Sequence, residues 1–223
     1  MSALKPRIKI CCISSVAEAA LAVQCGASAV GLVSAMPSGP GVIAEKTIAE
    51  IAATVPPGVA TFLLTSRTDA LGIIAQQRRM RTNTIQLCDR VSADCLRELR
   101  ESLPGIALVQ VIHVTGEESV IEAVAVANAV DALLLDSGNQ KLAVKELGGT
   151  GRTHDWKFSR AIVQAVNVPV FLAGGLNPDN VAQAIEQVRP YGLDICSGVR
   201  MNGKLHKQQL EEFILKASSC VTQ

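Results

Sequence analysis

Short apolar runs alternate with helix-like segments along the whole chain of 223 residues, and this alternation limits the possible folds more than any other feature. The runs are rich in Val, Ile and Leu, as buried strands are, and they lie near 8–11, 29–33, 59–64, 84–87, 107–112, 131–135, 168–172 and 194–196. The intervening segments carry helix signals at their ends. Ser14 or Ser15 can cap the first helix, and Gly26 follows its last turn.

Strands that alternate with helices form parallel sheets. Eight strand–helix units without a linker therefore predict an α/β fold, a single (β/α)8 barrel domain covering residues 1–223. An open, doubly wound sheet uses the same units and is the alternative.

Composition excludes several classes of function. The net charge is +1 with scattered lysines and arginines, which argues against nucleic acid, and Trp156 and Tyr191 offer no stacking platform. No apolar run is long enough to span a bilayer. Seven cysteines without repeated CxxC spacing or a secretory leader are typical of free thiols in a reducing cytosol, so we expect a cytoplasmic protein.

In a barrel of this type, the functional residues stand at the carboxyl ends of the strands. The residues at these predicted ends are Cys11-Cys12, Ser34, Thr65-Ser66, Cys88-Asp89, His113, Asp136, Gly174-Gly175 and Ser197-Gly198. Two groups among them point to chemistry: a set of glycines and a thiol–carboxylate pair.

The glycines predict a phosphate site. Gly174-Gly175 and Ser197-Gly198 follow strands seven and eight, where this fold usually binds phosphate through backbone N–H groups. Gly148-Gly149-Thr150-Gly151 forms a further glycine-rich loop. Tight turns are the alternative for any one of these positions. Asn177-Pro178 indicates a helix N-cap followed by a first helical residue.

Cys11 and Asp136 are candidates for a base and an acid, since a thiol can accept a proton and a buried carboxyl can donate one. A buried structural cysteine and a capping aspartate are the alternatives, and for Cys11 spacing alone favours the first. A metal site built from Cys11, Cys88 and Cys196 lacks short-range ligand spacing, so we expect no metal.

Several motifs resemble those of the phosphoribosylanthranilate isomerase family of tryptophan biosynthesis. The motifs run in the same order as in that family: Lys9-Ile10-Cys11, Gln86-Leu87, Leu134-Leu135-Asp136-Ser137, Gly148-Gly149-Thr150-Gly151 with Asp155-Trp156, the stretch 172–181 reading LAGGLNPDNV, and Ser197-Gly198-Val199. The second half is the more specific.

The resemblance implies a cofactor-free isomerase that converts N-(5-phosphoribosyl)anthranilate to its ketose by an Amadori rearrangement. Asp136 would be the general acid and Cys11 the general base. The resemblance also implies a substrate and phosphate site, at Gly149, Thr150, Gly151, Gly174, Gly175, Ser197 and Gly198. In that family the loop carrying the first three closes over the substrate.

The chain departs from the family where the aromatic part of the substrate would bind. After strand two it reads Met36-Pro37-Ser38-Gly39-Pro40-Gly41-Val42, without the arginine that would meet the anthranilate carboxylate. Cys12 stands in place of glycine, Cys88-Asp89 in place of His-Gly, Arg200 in place of glutamate and His206 in place of aspartate. Arg200, Arg67 and Arg90 are candidates for the missing contact, with Arg200 first.

Three hypotheses follow. The chain is a phosphoribosylanthranilate isomerase, a divergent paralogue acting on another phosphorylated sugar, or a barrel that binds a phosphometabolite or a partner protein without catalysis. For the isomerase we expect a small phosphosugar substrate, no nucleic acid or membrane partner, and a monomer or homodimer.

Overall fold

The computed structural model describes residues 5–138, 147, 151 and 153–220. The strands of its main sheet are β1 Arg7–Ile10, β2 Ala29–Val33, β3 Ala60–Thr65, β4 Thr84–Leu87, β5 Ala107–His113, β6 Ala132–Asp136, β7 Val170–Leu172 and β8 Gly192–Ile195. The helices are α1 Val16–Gln24, α2 Glu45–Thr54, α3 Ala70–Met80, α4 Ala93–Ser102, α5 Glu118–Ala127, α6 Trp156–Ala165, α7 Val181–Val188 and α8 Lys207–Ser219.

The eight strands close into a barrel, so the predicted fold is confirmed and the open sheet is excluded. Every neighbouring pair is parallel, and closure comes from β1, which pairs with β2 on one side and β8 on the other. In the closing pair, Lys9 is the register partner of Asp194 and Ile10 that of Ile195.

The helix ends follow the capping residues in the sequence. Ser15, not Ser14, caps α1 by accepting from the Glu18 backbone N–H, and Gly26 beyond it has a φ of 101°. The helix start expected at Asn177-Pro178 is wrong by three residues, because α7 begins at Val181. Asn177 still caps, since its side-chain oxygen accepts from the N–H groups of Asp179 and Asn180 in the preceding turn.

Side chains alternate between two apolar layers. Along β1, Ile8 and Ile10 pack outward against the helices, whereas Cys11, just beyond the strand, packs inside the barrel. The inner layer also includes Phe62, Leu134 and Phe171. Strands buried on both faces explain why the runs in the sequence are continuously apolar rather than alternating.

The barrel interior contains a buried ion pair. Lys9 Nζ lies 2.8 Å from an Asp194 carboxylate oxygen, and the two side chains are 0% and 7% exposed. The ammonium also stands 5.2 Å from the centroid of the Phe62 ring. Burial disfavours the ammonium charge, but Asp194 together with Cys11 and Cys12 outweighs this effect and raises the pKa of Lys9 above its ordinary value.

A small hairpin after β8 was missed in the sequence. The 3-10 turn Ser197–Val199 leads into β9 Arg200–Met201, which pairs with β10 Lys204–Leu205. The turn residues Asn202 and Gly203 have φ values of 52° and 77°, the conformation that Asn-Gly favours in two-residue hairpins. This dipeptide was the sequence signal for the hairpin.

Among the described residues, no helix is both long and apolar enough to cross a membrane.

Breaking the buried pair should destabilise the fold strongly. We expect Lys9→Met and Asp194→Leu each to lower the unfolding free energy by about 3–5 kcal/mol, because each leaves a buried group without its partner. The double variant Lys9→Met/Asp194→Leu should lose less than the two single losses combined. Urea unfolding measures these values, with Asp94→Asn at the exposed Arg97 pair as control, expected to change by less than about 1 kcal/mol. If both single variants lost no more unfolding free energy than Asp94→Asn, this result would contradict a structural role for the ion pair.

Candidate active site

A pocket opens at the carboxyl ends of the barrel strands and contains both predicted catalytic residues. Cys11 and Asp136 line it, together with residues from the loops after β1, β2, β7 and β8. The strands bring these side chains together from opposite parts of the sequence, as the position of active sites in this fold requires.

Cys11 stands on the inner face, one residue beyond β1. Its backbone N–H donates to the Ile195 carbonyl at 2.8 Å, which ties it to β8. Gly31 on β2 leaves room for the thiol, since a Cβ there would lie 3.1 Å from both Cys11 Sγ and Lys9 Nζ. A side chain at position 31 would therefore press on the proposed base and on the buried ion pair.

Two further thiols, those of Cys12 and Cys196, line the same pocket as Cys11. Cys12 Sγ lies 3.9 Å from Cys11 Sγ and 2.9 Å from Cys196 Sγ. The hydrogen bond with Cys12 lowers the pKa of Cys196 against the opposing effect of burial, and Arg200 adds to the lowering. Despite these thiols, the described part of the chain contains no group of three His, Cys, Asp or Glu side chains arranged to hold a metal ion.

Asp136 ends β6, with its side chain 8% exposed and facing the pocket. One carboxylate oxygen accepts from the Ser137 backbone N–H at 2.7 Å, which fixes the orientation of the group. His154, to which the sequence assigned no role, is half-buried nearby and contacts Ser159 Oγ at 2.6 Å. Burial lowers the pKa of His154, and the carboxylates of Asp136 and Asp155 oppose that shift.

The predicted phosphate glycines form one edge of the pocket. Gly174 and Gly175 have φ values of 84° and 62°, and their N–H groups donate to no described residue. Gly198 packs so closely against the Leu176 carbonyl that a Cβ there would overlap it, and it would lie 3.0 Å from Asn177 Cα. The loops after β7 and β8 therefore meet backbone to backbone, an arrangement that presents N–H groups to an anion.

The glycine-rich loop is only partly described. Gly149 and Thr150 lie outside the described residues. Gly151 lines the pocket, and a Cβ on it would be 3.9 Å from Ser197 Oγ. Leu147 is buried against the inner layer of the barrel. The described ends of this loop thus reach both the phosphate edge and the barrel interior.

Arg200 does not face the pocket as a free cation. Its guanidinium forms an ion pair with Glu18 at 3.0 Å, and its side chain is only 9% exposed. It also donates to the carbonyl oxygens of Cys11 and Cys12 at 3.2 and 2.6 Å. The geometry therefore gives no support to the expected contact between Arg200 and a substrate carboxylate.

No lysine or arginine lines the pocket among the described residues. Arg90 pairs with Glu122 at 2.5 Å in a different cavity, beside α5. Arg67 is exposed after β3, next to the loop that brings Met36 into the pocket, since Ser66 Oγ donates to the Ala35 carbonyl. Of the three candidate arginines, Arg67 is the one that combines an exposed side chain with a position beside a loop that lines the pocket.

Known proteins match this arrangement along the chain. The sequence model of the N-(5'-phosphoribosyl)anthranilate isomerase family matches residues 8–216. The chain belongs to this family. N-(5'-Phosphoribosyl)anthranilate isomerase 2 of Methanosarcina mazei is 35% identical over 215 residues, or 96% of this chain and 94% of that protein. The Haloferax volcanii isomerase is 37% identical over 198 residues, 88% of this chain and 86% of that protein.

Solved structures of the family have the same fold. Phosphoribosyl anthranilate isomerase from Thermotoga maritima superposes with a TM-score of 0.82 at 28% identity, covering 96% of this chain and 99% of that one. A second structure, at TM-score 0.80, 26% identity and the same two coverages, is a complex with reduced 1-(o-carboxyphenylamino)-1-deoxyribulose 5-phosphate. The family predicted from the sequence is confirmed.

Glu18 is a residue of this site that sequence reasoning missed, because no motif includes it. Besides Arg200, its carboxylate accepts from the backbone N–H groups of Ser14 and Leu205, each at 2.9 Å. Burial would raise the pKa of Glu18, but Arg200 and these N–H groups together hold it below its ordinary value.

The lowered pKa of Glu18 makes stability depend on pH. A carboxyl group with a lower pKa in the folded state stabilises the fold above its unfolded pKa, and this contribution is lost as the pH falls through the folded value. The difference in unfolding free energy between wild type and Glu18→Gln should therefore be largest near neutral pH and shrink below the ordinary glutamate value of 4.5. Urea unfolding from about pH 7 to about pH 3 measures it. Exposed Glu50→Gln is the control, and a difference constant over that range would contradict the assignment.

Proposed function

We propose that this protein isomerises N-(5'-phosphoribosyl)anthranilate to the corresponding 1-(o-carboxyphenylamino)-1-deoxyribulose 5-phosphate. The observation that carries the proposal is the single pocket shared by Cys11, Asp136 and the glycine edge of the β7 and β8 loops. The name of the family identifies the substrate, and the pocket contains a candidate acid, a candidate base and a candidate phosphate-binding site. The reaction is a cytoplasmic step of tryptophan biosynthesis in this proposal.

Asp136 acts first, as the general acid. Its carboxyl group donates a proton to the ribose ring oxygen, the C1′–O bond breaks, and the anthranilate nitrogen forms a Schiff base with C1′. The Ser137 N–H donates to one oxygen of the Asp136 carboxylate, and Asp136 lines the pocket. Orientation of this kind removes the need to reorganise the acid during the reaction.

Cys11 then acts as the general base. Its thiolate removes the proton from C2′, and the electron pair moves towards the nitrogen to give the enolamine, which tautomerises to the ketose. No atom is gained or lost, so one acid and one base suffice. The apolar inner layer of the barrel excludes water beneath the thiol, which limits side reactions of the opened ring.

The phosphate is held by the backbone at Gly174, Gly175, Ser197 and Gly198. The strongest support for this phosphate site is that the N–H groups of Gly174 and Gly175 donate to no described residue. In this assignment Gly149, Thr150 and Gly151 close over the substrate, and the position of Gly151 beside Ser197 agrees with a lid over the phosphate.

The anthranilate carboxylate requires a cation, and no described residue of the pocket lining provides one. Arg67 can meet it from the loop after β3, because this loop contacts the loop bearing Met36. A flexible arginine at the edge of the pocket binds a carboxylate more weakly than a preorganised guanidinium does. We therefore expect a higher KM than in enzymes with an arginine after β2.

Loss of either catalytic residue should abolish most turnover. We expect Asp136→Asn and Cys11→Ser each to lower kcat by about 100-fold or more, the usual contribution of a general acid or base. The loss of substrate fluorescence at the anthranilate group measures turnover of freshly made substrate. Cys25→Ser and Asp94→Asn, on the outer layer, are matched controls that should retain wild-type rates. A folded wild-type protein without turnover would overturn the proposal in favour of another phosphosugar.

Substitution at Gly198 tests the phosphate seat. A methyl group there overlaps the Leu176 carbonyl, so Gly198→Ala should push the two phosphate loops apart and raise KM about tenfold or more, with a smaller change in kcat. The same variant should lose protection by inorganic phosphate in thermal unfolding. Gly58→Ala is the control, because a Cβ at that position meets nothing within 4 Å. Unchanged KM and unchanged phosphate protection would place the phosphate elsewhere.

A further inference from the structure

We propose that Arg200, locked by Glu18, is a positioning residue that holds the backbone around the general base. The inference rests on the proposed role of Cys11 and extends it to two residues that do not touch the reacting atoms. It replaces the expected role of Arg200 as a contact for the substrate.

One guanidinium nitrogen carries the contact to the base. Arg200 Nη2 donates to the carbonyl oxygens of Cys11 and Cys12 at 3.2 and 2.6 Å. The other terminal nitrogen donates to Glu18 at 3.0 Å and to the Gly203 carbonyl at 3.1 Å. A planar guanidinium fixes all of these directions at once, which a lysine ammonium does not.

The backbone that Arg200 holds is strained. Cys12 has a φ of 60°, a left-handed conformation that is unfavourable for a residue with a side chain. Such a conformation persists only where neighbouring groups fix it. The short bond to the Cys12 carbonyl supplies that restraint, and Gly41 leaves the space, since a Cβ there would lie 2.5 Å from Cys12 Cβ.

Glu18 fixes the guanidinium in turn. Its carboxylate accepts from Arg200, from the Ser14 backbone and from the Leu205 backbone, so it joins the loop after β1 to the β9–β10 hairpin. Arg200 follows the Ser197–Val199 turn directly. The ion pair therefore couples the peptide that carries the base to the loop proposed to bind phosphate.

The two possible roles of Arg200 predict different kinetics. A contact to the substrate carboxylate would raise KM and leave kcat nearly unchanged when it is removed. A residue that positions the base would lower kcat with little change in KM, because the loss appears once substrate is bound. Arg67→Ala serves as the reference for the first pattern.

The experiment compares Arg200→Lys, Arg200→Gln and Glu18→Gln with wild type. We expect kcat to fall about tenfold in Arg200→Lys, which keeps the charge but loses the planar fork, and further in Arg200→Gln, with KM within about twofold. Arg79→Lys is the matched control, since Arg79 makes a similar two-contact pair with Glu45 on the outer helices. It should leave both constants unchanged.

A second readout does not depend on turnover. Iodoacetamide labelling followed by mass spectrometry, well below the unfolding temperature, reports how firmly the Cys11 loop is held. In Arg200→Gln, labelling of buried Cys11 should accelerate at least about threefold relative to Cys25, a partly exposed thiol on the outer layer. If the wild-type protein shows no turnover, the proposed function is wrong, but the labelling rate still tests whether Arg200 holds the Cys11 loop.

Two results would overturn the inference. The first is a rise in KM at constant kcat in the Arg200 variants, which restores Arg200 as a substrate contact. The second is unchanged Cys11 labelling in Arg200→Gln together with a kcat equal to that of Arg79→Lys.

Discussion

The ion pair between Lys9 and Asp194 lies at the seam where the barrel closes, and much of the site depends on it. The two residues are register partners in β1 and β8 and both point inward. If β1 shifted by one residue against β8, the Lys9 side chain would point outward into the apolar layer beneath the helices. Burying its charge there would cost a large free energy. The pair thus favours a single register, and that register places Cys11 beside Ile195 at the mouth.

Above this seam, the active-site end is built from backbone as much as from side chains. Glycines at the β7 and β8 ends allow two loops to touch, and Gly31 and Gly41 leave room for Cys11 and Cys12. The proposed base, the Cys11 thiol, gains from such surroundings, because the groups packed around a small reactive side chain fix its direction. The same crowding brings Cys12 Sγ to 2.9 Å from Cys196 Sγ, a contact for which the catalytic scheme has no use.

The substrate side of the pocket distinguishes this chain from the usual family pattern. The loop after β2 contributes Met36, Ser38 and Pro40 to the wall, and none of them carries a positive charge. The proposed function therefore assigns recognition of the carboxylate to Arg67, in the neighbouring loop after β3. Arg200 was the first candidate from the sequence for this contact, but its positive charge is already paired with Glu18.

The sequence by itself determined the barrel, because apolar runs and helix signals are local patterns. Strand ends and residue types also marked Cys11, Asp136 and the glycines as candidates for the site, and the family resemblance suggested their roles. The β9–β10 hairpin was missed although Asn202-Gly203 marked it. Only the tertiary structure decided what Arg200 does, since its partner Glu18 is 182 residues away in sequence. Direction and pairing of a charged side chain depend on which strands become neighbours, and that information appears only when the barrel closes.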